Sequence, residues 1–226
     1  MSKGLFVIGT GTDVGKTYIS ALLVKTLRRA GVSAGYYKAA VSGNRRVGGK
    51  LIPEDAAYVK KEAGLVAPLD QMASYVYEAA VSPHLAARWE GRPVERSVVR
   101  RDFEAACRRY DYVTVEGSGG IVCPIRMDTQ RIFLTDLIEE FRLPTLLVAS
   151  AALGGINSAV LTVEYARQRG IAVKGIILNH FRNDSPMEQD NLHLIAQLTG
   201  CPVLATVERG ASALELELDC LTSLYE

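Results

Sequence analysis

The sequence predicts an α/β fold: a single domain, residues 1–226, built on a mostly parallel, doubly wound sheet flanked by helices. Three observations predict it. Short apolar runs alternate with longer segments of helical periodicity along the chain, which is the pattern of βαβ units. The runs Leu146-Leu147-Val148 and Ile176-Ile177-Leu178 are apolar without alternation, as in strands covered on both faces. A chain of 226 residues, 48% apolar and 23% charged, fits one domain whose core needs no disulfide staples.

The elements follow in order. Gly4–Gly9 reads as a buried strand. Lys16–Ala30 reads as a helix with Ile19, Leu22, Leu23, Thr26 and Leu27 on one face and Gly31 as its stop. Ala34–Lys38 is a second strand. Glu54–Ala63 and Pro83–Trp89 are short helices, each with a proline near its start, and Ser97–Arg109 is another helix. Asp111–Glu116 is a strand running into Gly117-Ser118-Gly119-Gly120. Thr135–Phe141 is helical, Pro144–Ser150 an apolar strand, and Ile156–Arg169 a helix stopped by Gly170. Val173–Asn179 is a buried strand, Pro186–Leu198 a helix ended at Gly200, and Pro202–Val207 a last strand. Residues 41–53 read as a Gly- and Arg-rich loop. In residues 211–226, Leu214, Leu216 and Leu218 alternate like a strand, and a terminal helix fits equally well.

Composition excludes several classes. The net charge of +1 gives no global field for nucleic acid or an anionic membrane. The local clusters Arg45-Arg46, Arg100-Arg101 and Arg108-Arg109 read as solvated surface. Cys107, Cys123, Cys201 and Cys220 form no C-x-x-C pair, and His84, His180 and His193 do not fall at ligand spacing with them, so reduced cysteines rather than zinc are expected. The apolar run Leu5–Ile8 is too short for a signal peptide, and no stretch approaches the ~20 residues of a membrane span. A cytoplasmic protein is expected.

The most specific feature is Gly9-Thr10-Gly11-Thr12-Asp13-Val14-Gly15-Lys16-Thr17, lying between a strand and a helix. Glycines let the backbone curl and aim N–H groups at anionic oxygens, and the helix start favours negative charge. Lys16 would reach the β- and γ-phosphates of a nucleoside triphosphate and the Thr17 hydroxyl would sit on Mg²⁺. The strict G-x-x-x-x-G-K-[ST] spacing fails by one residue, because Thr10 stands where glycine is required and Gly9 lies one position early. Position 14 is Val, so the dinucleotide pattern G-x-G-x-x-G fails too.

In parallel α/β sheets ligands sit beyond the carboxyl ends of the strands. Polar residues gather there: the Gly/Thr loop, Lys38, Glu116 with its glycines, and Asn179. A carboxylate at Glu116 can hold Mg²⁺ directly or through water, and Asp55 is a second metal-ligand candidate. Lys38 suits an anionic substrate or developing phosphoryl charge. Asp13 beside a triphosphate needs a cation, the ribose or base, or a backbone donor.

These residues resemble the dethiobiotin synthetase family, a phosphate-loop family. The resemblance runs through the Gly9–Thr17 loop, Tyr37-Lys38, Ser42-Gly43, Asp55-Ala56, Ser82-Pro83-His84, Val115-Glu116-Gly117-x-Gly119-Gly120, Gly155-Ile156-Asn157 and Asn179. The one-residue-longer loop is the family's own form. Two departures occur: Ala39-Ala40 follow Lys38, and Glu208-Arg209 follow Val207, where the family usually has proline.

The resemblance implies an ATP- and Mg²⁺-dependent ligase that closes 7,8-diaminononanoate and CO₂ into dethiobiotin, through a carbamate and a carbamic–phosphoric anhydride. It implies catalytic roles for Lys38, Lys16 and Thr12, and ATP binding by Asp13, Val14, Gly15, Lys16, Thr17, Tyr18, Asp55, Glu116, Gly117, Ser118, Gly119 and Asn179, with Asn179 on the adenine edge. Thr17, Asp55 and Glu116 would place the metal. Ser42 and Gly120 would contact the diamine, and Gly154, Gly155, Ile156 and Asn157 would bind its tail carboxylate from the neighbouring subunit of a homodimer. Two rivals remain in sequence terms: another small-molecule ATP-dependent ligase, and an ATPase switch that positions chromosomes or septa. The switches carry a second lysine early in the loop and a basic amphipathic C-terminal helix. Gly9–Asp13 has no lysine, and residues 211–226 are acidic.

Overall fold

A computed structural model describes residues 2–226. The chain runs β1 (Lys3–Gly9), α1 (Lys16–Arg29), β2 (Ala34–Val41), β3 (Arg46–Val47), β4 (Lys50–Leu51), α2 (Glu54–Ala63), β5 (Ala73–Val76), α3 (Pro83–Trp89), α4 (Arg96–Arg109), β6 (Tyr112–Glu116), β7 (Pro124–Met127), β8 (Arg131–Phe133), α5 (Leu134–Phe141), β9 (Thr145–Ala149), α6 (Gly155–Gln168), β10 (Val173–Asn179), α7 (Pro186–Thr199), β11 (Val203–Val207) and α8 (Leu218–Ser223). Seven strands form one sheet in the order β11-β10-β9-β1-β6-β2-β5. Every pairing within it is parallel. The pairs β3–β4 and β7–β8 are small antiparallel hairpins outside it.

Strand periodicity explains the two cores. In β1, Leu5 and Val7 pack on the α1, α2 and α8 side with Ile19, Leu23, Val59 and Leu221, while Phe6 and Ile8 pack on the opposite side with residues of α3 to α7. Both faces must therefore be apolar, which is why the central strands lack alternation. β1 sits mid-sheet. The chain first builds outward on one side (β2, β5), inserts β6 between β1 and β2, and then crosses to β9, β10 and β11. That reversal opens a crevice at the carboxyl ends of β1 and β6.

The structure adds the hairpin β3–β4 within residues 41–53, read as a loop, and the hairpin β7–β8, and it extends the sequence reading in three further places. β2 continues to Val41, three residues past Lys38, so Lys38 lies within the strand and in register with Glu116. The edge strand β5, Ala-Ser-Tyr-Val, escapes a pattern search because it is four residues long and carries a polar Ser74, whose Oγ lies 2.7 Å from the Tyr37 Oη. In the last segment the leucine alternation makes no strand. Leu214, Leu221, Leu224 and Tyr225 are buried in the α1/α2 core, and α8 is the terminal helix.

Helix α5 ends on Arg142, a non-glycine residue in the left-handed region at φ 53. Its N–H still closes the helix on the Ile138 carbonyl, so only the side chain opposes the conformation. Arg142→Gly is expected to raise the melting temperature by roughly 1–3 °C, from about 0.5–1 kcal/mol of relieved strain. A thermal melt of the two proteins checks this, and a lowered melting point contradicts it.

Candidate active site

The loop between β1 and α1 wraps the start of α1. Its cap, Gly15, has φ 91. A Cβ built there would lie 1.9 Å from the Asn179 Nδ2, so the position excludes side chains on both conformational and packing grounds. No side chain caps α1, which leaves its first-turn N–H groups available to an anion. Asp13 takes φ 60 in the same loop. Asn179 at the end of β10 ties the loop down, donating from Nδ2 to the Val14 carbonyl at 3.0 Å. Its Oδ1 is buried without a hydrogen-bond partner among the described residues.

Beside the loop is a polar network at the ends of β2 and β6. Glu116, 2% exposed, accepts at Oε1 from the Thr17 hydroxyl at 2.8 Å and the Lys38 Nζ at 2.6 Å, and at Oε2 from the Tyr36 hydroxyl at 2.8 Å. Lys38 also donates to the Asp55 Oδ2 at 2.7 Å, from the first turn of α2. A single ammonium thus joins two carboxylates. Burial disfavours that ammonium, but Glu116 and Asp55 outweigh the desolvation and hold it above the ordinary lysine range. Burial, aided by the Glu116 charge, raises the Tyr36 phenol well above its usual value, so the hydroxyl acts as donor.

Lys16 donates to the Gly11 carbonyl at 2.7 Å. Burial first, then the Lys38 charge, pull its pKa down to about 8, against the opposing pull of Glu116, Cys123 and Asp55. The folded value lies below the ordinary one, so the buried charge costs stability below pH 8, and that cost is relieved as pH rises toward the unfolded value of 10.5. A polyanion in the loop would favour the ammonium. Nucleotide binding between about pH 8 and 10 is therefore expected to take up protons, with affinity falling as pH rises, by up to about tenfold per unit. Calorimetry in buffers of different ionisation enthalpy measures this, and a proton count of zero at pH 9 contradicts it.

These groups line one cleft of about 1280 Å³. Of the residues expected from sequence, it brings together Thr12, Asp13, Gly15, Lys16, Thr17, Tyr18, Lys38, Ser42, Asp55, Glu116, Ser118, Gly119 and Gly120. Val14, Gly117 and Asn179 stand behind its wall. The Gly117 N–H is committed to the Val7 carbonyl at 2.9 Å, and a Cβ there would meet the Leu134 side chain at 2.9 Å. Gly154, Gly155, Ile156 and Asn157 lie apart, at the N-terminus of α6 and off the cleft of their own chain.

The cleft wall also includes Arg45, Tyr58, Ser82 and Pro83, to which the sequence reading gave no role. Tyr36 was missed as well. Its signal was the strand period, which puts it on the same face of β2 as Lys38.

The donors offered to a cation are hard oxygens: the Thr17 hydroxyl and the Glu116 and Asp55 carboxylates. No group of three His, Cys, Asp or Glu side chains able to hold a metal occurs among the described residues. That suits Mg²⁺, which takes one or two carboxylates together with phosphate oxygens and water rather than an all-protein cage. Cys123 lines the cleft too, but burial pushes its thiol up to about 11, so it is no nucleophile near neutrality. The four cysteines are free.

A glycine loop capping α1, a lysine and threonine at that helix start, and an acidic residue at the end of the neighbouring strand define a phosphate-loop nucleotide-binding protein. Comparison with known proteins agrees. The family model described as AAA domain matches residues 3–213. A ParA family ATPase from Chlorobium tepidum TLS superposes with a TM-score of 0.55 at 14% identity, covering 100% of this chain and 91% of that one. The septum site-determining protein MinD from Pyrococcus horikoshii OT3 gives 0.52 at 15% identity, covering 92% and 82%. Those similarities establish the fold alone.

Sequence similarity is more specific. The chain is 45% identical to the ATP-dependent dethiobiotin synthetase of Brachyspira hyodysenteriae, covering 100% of both. It is 42% identical to that of Clostridium botulinum (strain 657 / Type Ba4), over 100% of this chain and 99% of that protein. The chain belongs to the dethiobiotin synthetase family. No helix among the described residues is long and apolar enough to cross a membrane.

Proposed function

We propose that this chain is a cytoplasmic, ATP- and Mg²⁺-dependent dethiobiotin synthetase acting on 7,8-diaminononanoate and CO₂. The observation that carries the reading is the pair Lys16 and Lys38 on one wall of a single cleft, the second held in place by Glu116 and Asp55. One lysine belongs to the phosphate loop. The other lies outside that loop, held by Glu116 and Asp55, and would flank the carbamate and the γ-phosphate together with Lys16.

The chemistry needs that second cation. One amine of the substrate adds to the carbon of CO₂ and loses a proton, giving a carbamate anion. A carbamate oxygen attacks the γ-phosphorus and ADP leaves, forming a carbamic–phosphoric anhydride. The second amine then attacks the carbonyl carbon, the C–O bond to phosphate breaks, and the ring closes. The first difficulty is bringing an anionic nucleophile onto a polyanion, so positioning and charge neutralisation are the protein's main tasks. Lys38 would hold the carbamate and Lys16 the β- and γ-phosphates, with Thr12 and Asp13 beside the diamine and phosphates and Ser42 and Gly120 along the substrate. Mg²⁺ held by Thr17, Asp55 and Glu116 would neutralise charge on the phosphates. The unpartnered Asn179 Oδ1 would suit the exocyclic amine of adenine.

The tail carboxylate of the substrate would be bound by the N–H groups of α6 around Gly154–Asn157 of a second copy. Support comes from the exposed Leu153, just before that terminus, and the exposed Leu161 further along α6, apolar side chains that a partner could cover. Sedimentation at assay concentration is expected to give a dimer. A fully active monomer contradicts the shared site.

The direct test is purified protein with the diamine, bicarbonate and Mg-ATP, followed by mass spectrometry. Dethiobiotin is the expected product, and its absence from a preparation that binds Mg-ATP overturns the reading.

A further inference from the structure

The buried end of the Glu116 carboxylate carries an inference beyond these roles. Glu116 has two oxygens in different surroundings. Oε1 accepts from Thr17 and Lys38, which both line the cleft, while Oε2, among the described residues, accepts from Tyr36 alone. Tyr36 is 1% exposed, is not part of the cleft lining, and packs its ring in the α1/α2 core. Its hydroxyl is committed to Glu116.

The register explains how it reaches Glu116. Tyr36 lies opposite Thr114 on β6 and Lys38 opposite Glu116, so the tyrosine is the diagonal same-face neighbour of the carboxylate. A phenylalanine would fill the same core space. The hydroxyl is the part of the side chain that packing does not require.

We infer that Tyr36 is a positioning residue whose hydroxyl fixes the Glu116 carboxylate, so that Oε1 alone is turned to Thr17 and Lys38. Without that donor, Oε2 would be a buried anionic oxygen lacking a partner, an arrangement a protein avoids by turning or displacing the group. The carboxylate would rotate toward whatever donor remained, and Oε1 would leave the Thr17 side where a phosphate-bound cation is to be held. The inference rests on the reading of Glu116 as a metal-side acceptor, and it deepens that reading by naming what aims the carboxylate.

The test measures ADP binding by calorimetry with and without Mg²⁺, and needs neither turnover nor the diamine. In Tyr36→Phe the Mg²⁺-free affinity is expected to stay within about twofold, while the gain on adding Mg²⁺ shrinks about tenfold, the scale of one hydrogen bond to a charged acceptor. Tyr225→Phe is the control. It removes another buried tyrosine hydroxyl, 2.7 Å from the Thr114 Oγ1, on the same side of the sheet but with no hydrogen bond to Glu116, and is expected to keep the full Mg²⁺ gain.

A second pair of variants isolates the route. If Tyr36 acts through the Glu116 charge, Tyr36→Phe with Glu116→Gln matches Glu116→Gln alone in its Mg²⁺ gain. That pair leaves no carboxylate at position 116 for the missing hydroxyl to strand, and carries the test even if Tyr36→Phe by itself is too unstable to assay. A full Mg²⁺ gain in Tyr36→Phe, an equal loss in Tyr225→Phe, or a further loss on adding Tyr36→Phe to Glu116→Gln each overturns the inference. Failure of wild-type protein to make dethiobiotin would instead strike the functional reading and leave this result standing.

Discussion

Replacing Lys38 by alanine is expected to lower turnover on the order of 10³-fold, the scale of losing a cation aimed at developing charge, while Mg-nucleotide binding stays within a few-fold of wild type. Lys38 is not in the phosphate loop, so the nucleotide keeps Lys16, Thr17 and the α1 N-terminus. The carbamate loses its counter-charge.

The same substitution has a structural cost. Lys38 bridges Glu116 and Asp55, and removing it leaves a carboxylate that is almost fully buried beside another negative charge. Loss of one partner from a buried pair costs about 3–5 kcal/mol. The free variant should therefore melt well below wild type, and because the two proteins bind Mg-nucleotide with similar affinity, the difference should persist on adding Mg-ADP. Single-turnover kinetics and calorimetry on the nucleotide-loaded variant separate the two effects. Wild-type turnover in Lys38→Ala would remove this residue from the chemistry.

Gly15→Ala is expected to disable the phosphate loop with a single methyl group. Its left-handed φ disfavours alanine by about 1–2 kcal/mol, and the new Cβ would occupy the space of the Asn179 amide 1.9 Å away. Relief requires Asn179 to release the Val14 carbonyl, and that bond pins the loop. We expect nucleotide affinity to fall by at least about 10²-fold and stability by roughly 2–4 kcal/mol. Gly11→Ala is the matched comparison: no atom lies within 4 Å of a Cβ there, so it should fold like wild type. A Gly15→Ala protein that binds nucleotide normally contradicts the geometry of the loop.

The phosphate end of the site was legible in the sequence because its chemistry is local. Gly9 to Thr17 is one contiguous stretch, and its glycines, lysine and threonine announce their roles without tertiary context. Lys38 and Glu116 were legible as polar residues ending apolar runs. That they meet at 2.6 Å was not, because three helices, a hairpin and the edge strand β5 separate β2 from β6 in the chain before β6 enters the sheet between β1 and β2. Asp55 was legible only as a second metal-ligand candidate, and the packing of α2 brings it onto the Lys38 ammonium. Tyr36 was hidden by its type: a buried tyrosine in a strand reads as core, and its hydroxyl bond follows from a register that no local pattern encodes. The C-terminal leucines left strand and helix equally open, because their alternation fits either; the segment makes no strand, buries Leu214 and Tyr225 in the α1/α2 core, and ends in the terminal helix α8.

The central claim is that this cleft transfers the γ-phosphoryl group to a carbamate oxygen and not to water. Oxygen-18 bicarbonate supplied with the diamine and Mg-ATP, in an assay faster than exchange of CO₂ with water, tests that claim directly. One labelled oxygen per inorganic phosphate and one in the ureido carbonyl are predicted. Phosphate carrying only solvent oxygen would mean that water is the nucleophile, and would contradict the account.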